Sequence, residues 1–194
     1  MTKSELIQEI STTLFKAKLQ KLCALVGNED SALVDLLDCC FHPQKEIAFR
    51  AAWILESVET QYPQRFIPIL DPFLTGYQKQ RNFSCQRHYT KIMMRLTQKN
   101  SPSIYQCKLQ NFNFEPIIDT TFEWLINPKT PVAVKVNCIE ILVNLRSKSD
   151  WIADELKAQI EFLLKDGGPA IQSRGKKMLK VVSCEGTAST FKPQ

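Results

Sequence analysis

The sequence has few of the residues from which zinc sites are built. Its 194 residues include only two histidines, His42 and His88, and none of its seven cysteines stands in a CxxC pair. Common zinc sites need four such ligands at short, fixed spacings. Cys39 and Cys40 precede His42, but adjacent thiols on a helix point in different directions. We therefore expect no metal site, and the lack of a phosphate-binding loop signature predicts no cofactor.

Long apolar runs are also missing. No stretch approaches the ~18–20 apolar residues that cross a bilayer. The first ten residues, MTKSELIQEI, lack the apolar core of a secretory signal. An odd number of scattered cysteines is typical of free thiols in a reducing compartment. The sequence therefore predicts a cytoplasmic protein that does not associate with membranes.

A strong charge bias is absent as well. The chain has 25 basic and 20 acidic residues, which gives a net charge of +5. That excess is mild compared with the dense basic stripes that indicate nucleic-acid binding. Composition alone therefore does not identify a nucleic acid as the partner.

Strand-type alternation is missing nearly everywhere, whereas apolar residues recur at helical spacing along most of the chain. Thr2 and Glu5 match a capping box, and a helical segment follows as far as Gly27. Two prolines in RFIPILDPFL predict a short, kinked helix. Residues 99–113 have no clean period and are predicted to form an extended loop. The chain is therefore predicted to be all-α.

Helical patterns repeat along the chain at an interval of about 40 residues. In each copy, an apolar anchor is followed four, seven and eleven positions later by apolar or small residues, so one face of the second helix is predicted to be buried. The anchors are Ile47, Cys85, Val132 and Ile171. Five residues before three of them lie turn residues, namely His42, Asn127 and Asp166. His42 is therefore interpreted as part of a turn.

This arrangement of helical hairpins, best seen in FHPQKEIAFRAAWIL, resembles the HEAT-repeat and armadillo-like α-solenoid superfamily. The resemblance covers about residues 31–182 and implies an α-α superhelix of four hairpin repeats with an N-terminal helical segment. It also implies a surface for a protein partner. The predicted organisation is one solenoid domain over 1–183, with repeats at 31–60, 64–98, 114–146 and 150–183, and a flexible C-terminal tail over 184–194.

Each repeat also has a basic residue at the same position after its anchor. Three residues after the anchors stand Arg50, His88, Lys135 and Arg174. Because neighbouring helices stack at about 8–10 Å, these side chains are predicted to form a basic column. The column could bind a phosphate backbone or an acidic partner surface, or its members could be solvated or paired with acids on adjacent helices.

The sequence gives little support for a catalytic site. Cys85 and His88 stand at i and i+3, where a thiolate and an imidazole could act together, but Cys85 occupies a buried anchor position. HEAT-like DNA glycosylases use aromatic, acidic and basic residues on a helical surface, but no aligned set appears here; Trp151 alone is expected to be exposed. The fumarase/adenylosuccinate lyase superfamily is rejected because its glycine- and serine-rich loop has no counterpart.

The leading hypothesis is thus a non-enzymatic scaffold or adaptor that binds a protein partner. The alternative is a nucleic-acid-binding protein that uses the basic column. The sequence leaves the partner and the oligomeric state open.

Overall fold

The computed structural model describes the backbone of residues 1–185 and the side chains of residues 1–183. No strand occurs in that part of the chain, which confirms the predicted all-α class. Two 3₁₀ helices span Ile67–Ile69 and Arg146–Lys148. The α-helices are α1 (Lys3–Ser11), α2 (Lys16–Gly27), α3 (Asp30–Cys39), α4 (Lys45–Gln61), α5 (Pro63–Phe66), α6 (Leu70–Lys79), α7 (Phe83–Thr97), α8 (Ser103–Leu109), α9 (Glu115–Ile126), α10 (Val132–Leu145), α11 (Asp150–Asp166) and α12 (Pro169–Glu185).

The chain divides into two compact units, which we describe separately. The first contains residues 1–96 and 101–112, and the second contains 97–100 and the chain from Asn113 onward. In the first unit α3 and α4 pack against each other and against α1 and α2. In the second unit α10 packs against α9, α11 and α12. The single domain over 1–183 stays a prediction, and the predicted tail lies outside the described residues from position 186.

The second helix of each repeat buries one apolar stripe. The stripe begins at the third residue of the helix and continues four, seven and eleven positions later, as helical geometry requires. In α4, α7 and α12 the third residue is the predicted anchor, and it is buried in all three. The buried stripe positions are Ile47, Ala51, Ile54 and Val58 in α4; Cys85, Tyr89, Ile92 and Leu96 in α7; and Ile171, Gly175, Met178 and Val182 in α12.

The predicted anchor of the third repeat is wrong. Val132 is 47% exposed, whereas Val134 is fully buried. Val134 is the third residue of α10, and Cys138, Ile141 and Leu145 follow it at the stripe positions and are buried too. The anchor therefore lies two residues later than the sequence pattern suggested. Proline at position 131 explains the shift, because it directly precedes α10 and fixes where the helix begins.

The N-terminal segment forms two helices instead of one. The capping box is present, with the Thr2 side chain accepting from the Glu5 amide and the Glu5 carboxylate accepting from the Thr2 amide. α1 then ends at Ser11, where hydroxyl-bearing residues compete for backbone hydrogen bonds. Lys18 of α2 closes the break, since its ammonium donates to the Glu9 carbonyl at 2.6 Å and to Thr12 Oγ1 at 2.8 Å.

The predicted loop at 99–113 contains the short helix α8. Its Tyr105 is fully buried, with the ring 6.4 Å from that of Phe66 and the hydroxyl donating to the Pro63 carbonyl at 3.2 Å. Leu109, one turn later, is buried as well. Two buried side chains at i and i+4 are enough to hold a short helix against the first unit, although they are too few to produce a visible period in the sequence.

None of the helices in the described part of the chain combines the length and the apolar character that a bilayer crossing requires.

The shifted register in α10 can be tested with two matched truncations. Val134→Ala should lower the free energy of unfolding by about 1–2 kcal/mol, because it leaves a cavity in the core of the second unit. Val132→Ala, the control on the same helix, should change it by less than ~0.5 kcal/mol. Urea denaturation followed by circular dichroism measures both. Equal losses, or a larger loss for Val132→Ala, would contradict the register described above.

Candidate functional site

Arg50, the first member of the predicted basic column, caps a neighbouring helix. Its guanidinium donates to the carbonyl oxygens of Ile10 and Ser11 at 3.0 and 2.9 Å. These carbonyls end α1 and have no partner within that helix, and a cation there also complements the helix dipole. Arg50 therefore has a structural role in the first unit.

His88, the second member, is buried beside an acid. Its side chain is only 7% exposed, and Nδ1 lies 2.5 Å from Oε2 of Glu56. The ring also packs with the rings of Phe49 and Trp53, at centroid distances of 5.3 and 6.5 Å. His88 Nε2 has no hydrogen-bond partner. The imidazole is thus fixed between α4 and α7 and is not presented to solvent.

The other two members lie in the second unit. Arg174 donates to Oε2 of Glu140 at 2.6 Å, which links α12 to α10. Lys135 is half-buried, and burial lowers the pKa of its ammonium. Since the α10 stripe begins at Val134, the position three residues after the anchor is Asn137 and not Lys135. A role of the four residues in binding an anion or a partner stays a prediction.

An ionic cluster lies between α4 and α7. Pairing with an acid on an adjacent helix was one alternative for His88, but the sequence pattern did not identify Glu56 or Glu59 as acidic partners. Glu56 accepts from Lys91 at 3.2 Å in addition to its contact with His88. Glu59, which is 2% exposed, pairs with Arg95. The only signal in the sequence was that both glutamates lie close to the buried stripe position Val58. Their basic partners are more than 30 residues away along the chain.

The pKa values of the two glutamates shift in opposite directions. Burial disfavours the charge of Glu56, but the hydrogen bond to His88 and the neighbouring positive charges outweigh it, so the pKa of Glu56 is lowered. Burial raises the pKa of Glu59, and Arg95 offsets this only partly. The cluster joins two second helices through two largely buried glutamates, whose partners Lys91 and Arg95 stay partly exposed. It is therefore a structural element of the first unit.

The Cys85–His88 pair lacks the geometry of a nucleophile and its base. Burial raises the pKa of the Cys85 thiol to about 12, and the thiol faces the Cys40 carbonyl at 3.8 Å. The Nδ1 atom of His88 is engaged with Glu56. A thiol with that pKa is almost entirely protonated near neutral pH. These two residues do not form a reactive pair in this arrangement.

The turn around His42 has an ordinary structural explanation. The backbone N–H of Gln44 donates to His42 Nδ1 at 3.1 Å, just before α4 begins. Cys39 and Cys40 are both buried. Within the described residues, no group of three or more histidine, cysteine, aspartate or glutamate side chains could hold a metal ion.

Two grooves lie between first helices of neighbouring repeats, one in each unit. The α3–α6 groove has a volume of about 480 Å³ and is lined by Leu37, Asp38, Phe41, Asp71, Pro72, Thr75, Gly76 and Lys79. The α9–α11 groove has a volume of about 320 Å³ and is lined by Asp119, Phe122, Glu123, Ile126, Trp151 and Glu155. Both combine apolar side chains with carboxylates. A third groove, of about 910 Å³, lies beside α1 and α2.

Exposed apolar side chains mark the two grooves between first helices. Phe41 is exposed in the first, and Ile126 and Trp151 are exposed in the second. The exposure of Trp151 confirms the expectation from the sequence. Trp124, by contrast, is buried. Grooves with solvent-facing aromatic and aliphatic side chains are suited to receiving side chains of another molecule.

Comparison with known proteins identifies a family for the chain. A family model described as a HEAT repeat domain matches residues 3–182 of the chain. No curated protein and no solved structure gives a significant match.

The ionic cluster predicts a pH-dependent stability. Glu56→Gln should lower the free energy of unfolding by about 2 kcal/mol near neutral pH, because His88 and Lys91 lose a charged acceptor. The stabilisation from Glu56 is present above the ordinary pKa of 4.5 and is lost as the pH falls through its lower value in the folded state. The gap between variant and wild type should therefore shrink below about pH 4.5. Urea denaturation at several pH values measures it.

Glu161→Gln, on the exposed face of α11 and away from its first turn, is the control and should change stability by less than ~0.5 kcal/mol at every pH. A gap for Glu56→Gln that stays constant as the pH falls would contradict the role assigned to its charge.

Alkylation of the thiols tests whether the buried cysteines are unreactive core residues. Cys107 is the only exposed cysteine among the six whose side chains are described. Iodoacetamide at about pH 8 should modify Cys107 in the folded protein, and should modify Cys40, Cys85 and Cys138 only after unfolding. Peptide mass spectrometry identifies the modified sites. Rapid alkylation of Cys85 in the folded protein would show an activated thiol and contradict the assignment.

Proposed function

We propose that this chain, which belongs to the HEAT repeat domain family, is a non-enzymatic scaffold or adaptor that binds a protein partner. Membership of the family supports a helical-repeat scaffold, since such repeats commonly present extended surfaces to other proteins. The observation that carries the proposal is the pair of grooves between first helices. Each unit leaves aromatic or aliphatic side chains exposed there, next to carboxylates.

The same proposal places the protein in the cytoplasm. All six cysteines whose side chains are described are free thiols. Several of them lie in the core, where a disulfide would have to replace apolar packing. A reducing compartment suits this pattern.

The second candidate function is nucleic-acid binding. It is supported by α12, where Lys176, Lys177 and Lys180 are exposed beside Arg174. Lys135 of the predicted basic column lies in the same unit. Because such binding depends on counterion release, affinity for duplex DNA should fall steeply with salt, and charge reversal of Lys135 and Lys177 should weaken binding to every sequence alike. Absence of binding at low salt would eliminate this candidate.

Site-specific photo-crosslinking tests the leading proposal. A photoreactive residue placed at Phe41 or Ile126 should form adducts with one protein in cells that produce the chain. The same residue at Lys177, exposed on α12, is the control and should not. The adducted protein, once purified, should bind the chain with an affinity that drops about tenfold in Ile126→Asp, because a charge then replaces an apolar contact.

Two results would contradict the proposal. One is the same set of adducts from every position, which would indicate nonspecific contact. The other is adducts with nucleic acid from the Lys177 position and no protein adduct from the grooves.

A further inference from the structure

The α9–α11 groove joins an exposed aromatic side chain to carboxylates that form no ion pair within the described part of the chain. We propose that it binds an arginine side chain of a basic segment in the protein partner. This inference rests on the proposed function and adds the chemistry of the partner.

Trp151 provides a platform for a cation. Trp151 is 47% exposed, and its ring lies 5.4 Å from the ring of Phe122, at an interplanar angle of 32°. Phe122 is buried and packs against the indole, while part of Trp151 remains open to solvent. Within the described part of the chain, the cations found over aromatic rings are Lys148 over Phe114 and Lys165 over Phe162, and none lies over Trp151. The exposed part of Trp151 is therefore suited to stacking with a cation of another molecule.

Three carboxylates surround this platform. Asp119 and Glu123 stand at i and i+4 on α9, and Glu155 stands one turn after Trp151 on α11. The described residues provide no ion pair for any of the three. Gln159 donates to Glu155 at 2.9 Å, but it carries no charge. Like charges at i and i+4 oppose each other on a helix, and a bound cation would relieve that repulsion.

The charged residues of α9 and α11 also favour a basic ligand. α9 carries three acidic residues and no basic one, and α11 carries five acidic residues and two lysines. The field at the groove is therefore negative and would attract a basic segment.

Arginine fits this combination better than lysine. A planar guanidinium can stack on the indole of Trp151 and still donate to carboxylates at its edge, whereas a lysine ammonium is a compact, strongly hydrated charge. Phe122 and Ile126 offer apolar surface for the methylene stem of the side chain. The groove volume of about 320 Å³ suits a single long side chain and not a folded ligand.

The α3–α6 groove of the first unit provides a contrast within the same chain. It also has an exposed aromatic ring, Phe41, between acids. There, however, Lys3 already pairs with Asp38 at 2.9 Å, and Lys79 lines the groove. The chain supplies its own cations at that site. In the α9–α11 groove, by contrast, none of the three carboxylates forms an ion pair with a described residue, and no lysine or arginine lines the groove.

Isothermal titration with short capped peptides tests the inference. The probe carries two arginines flanking a leucine, and matched peptides replace both arginines by lysine or by glutamate. We expect one saturable site for the arginine peptide, about threefold weaker binding of the lysine peptide, and no binding of the glutamate peptide. Trp151→Ala should weaken arginine binding about tenfold, since it removes the stacking surface. Thermal unfolding of this variant verifies that it folds.

Charge variants provide the matched control. Glu123→Gln with Glu155→Gln should weaken arginine binding about fivefold or more, because two carboxylates of the groove lose their charge. Asp154→Asn with Glu161→Gln removes the same net charge from α11 outside the groove and should change binding less than ~twofold.

Each alternative outcome would overturn the inference in a recognisable way. Equal losses in the two double variants would indicate general attraction to an acidic surface. Equal binding of the lysine and arginine peptides would exclude a site that selects the guanidinium, and the inference of an arginine ligand would fail. Concentration-dependent dimerisation that Glu123→Gln with Glu155→Gln abolishes would make a second copy of this chain the occupant. If no peptide binds while a protein still crosslinks at Ile126, the occupant is wrong and the proposed scaffold function stands.

Discussion

The structure depends on one constraint: the second helix of every repeat has an apolar stripe that the repeat cannot bury alone. The stripe starts at the third residue of each second helix and returns to the same face four, seven and eleven positions later. In the second unit, α10 covers its stripe only by packing against α9, α11 and α12 together. Such packing between neighbours, and not the stability of any single hairpin, holds a helical-repeat protein together.

That constraint also decides which charges remain available for binding. Charged residues on the flanks of a buried stripe need partners inside the protein, since an unpaired buried charge is costly. Glu56 contacts His88 and Lys91, and Glu59 pairs with Arg95. Arg50 caps the C-terminal end of α1. First helices are under no such pressure on their outer faces. We therefore propose that the unpaired carboxylates and exposed aromatic side chains of the first helices are the groups that bind a partner.

The helices could largely be predicted from the sequence, because caps, prolines and the 3.6-residue period are local signals. The sequence pattern predicts the wrong register for α10, because two apolar stripes fit the same segment. One stripe includes Val132 and Ile139, and the other includes Val134 and Ile141. α8 was missed because Tyr105 is buried by residues some 40 positions earlier. The grooves and the identities of the acidic partners could not be predicted for the same reason. Arg50 and His88 stood out as basic residue types, but their partners on α1 and α4 become neighbours only in the folded chain.

The central claim is that a partner binds between first helices, and above all at the α9–α11 groove. A ¹H–¹⁵N NMR titration with the arginine peptide tests it most directly, since it reports on every amide and on the three tryptophan indoles at once. The account predicts shifts of the Trp151 indole and of the amides of Glu115–Ile126, with Trp53 and the lysine-bearing turns of α12 unchanged. Shifts confined to α12, or spread evenly over the surface, would contradict it.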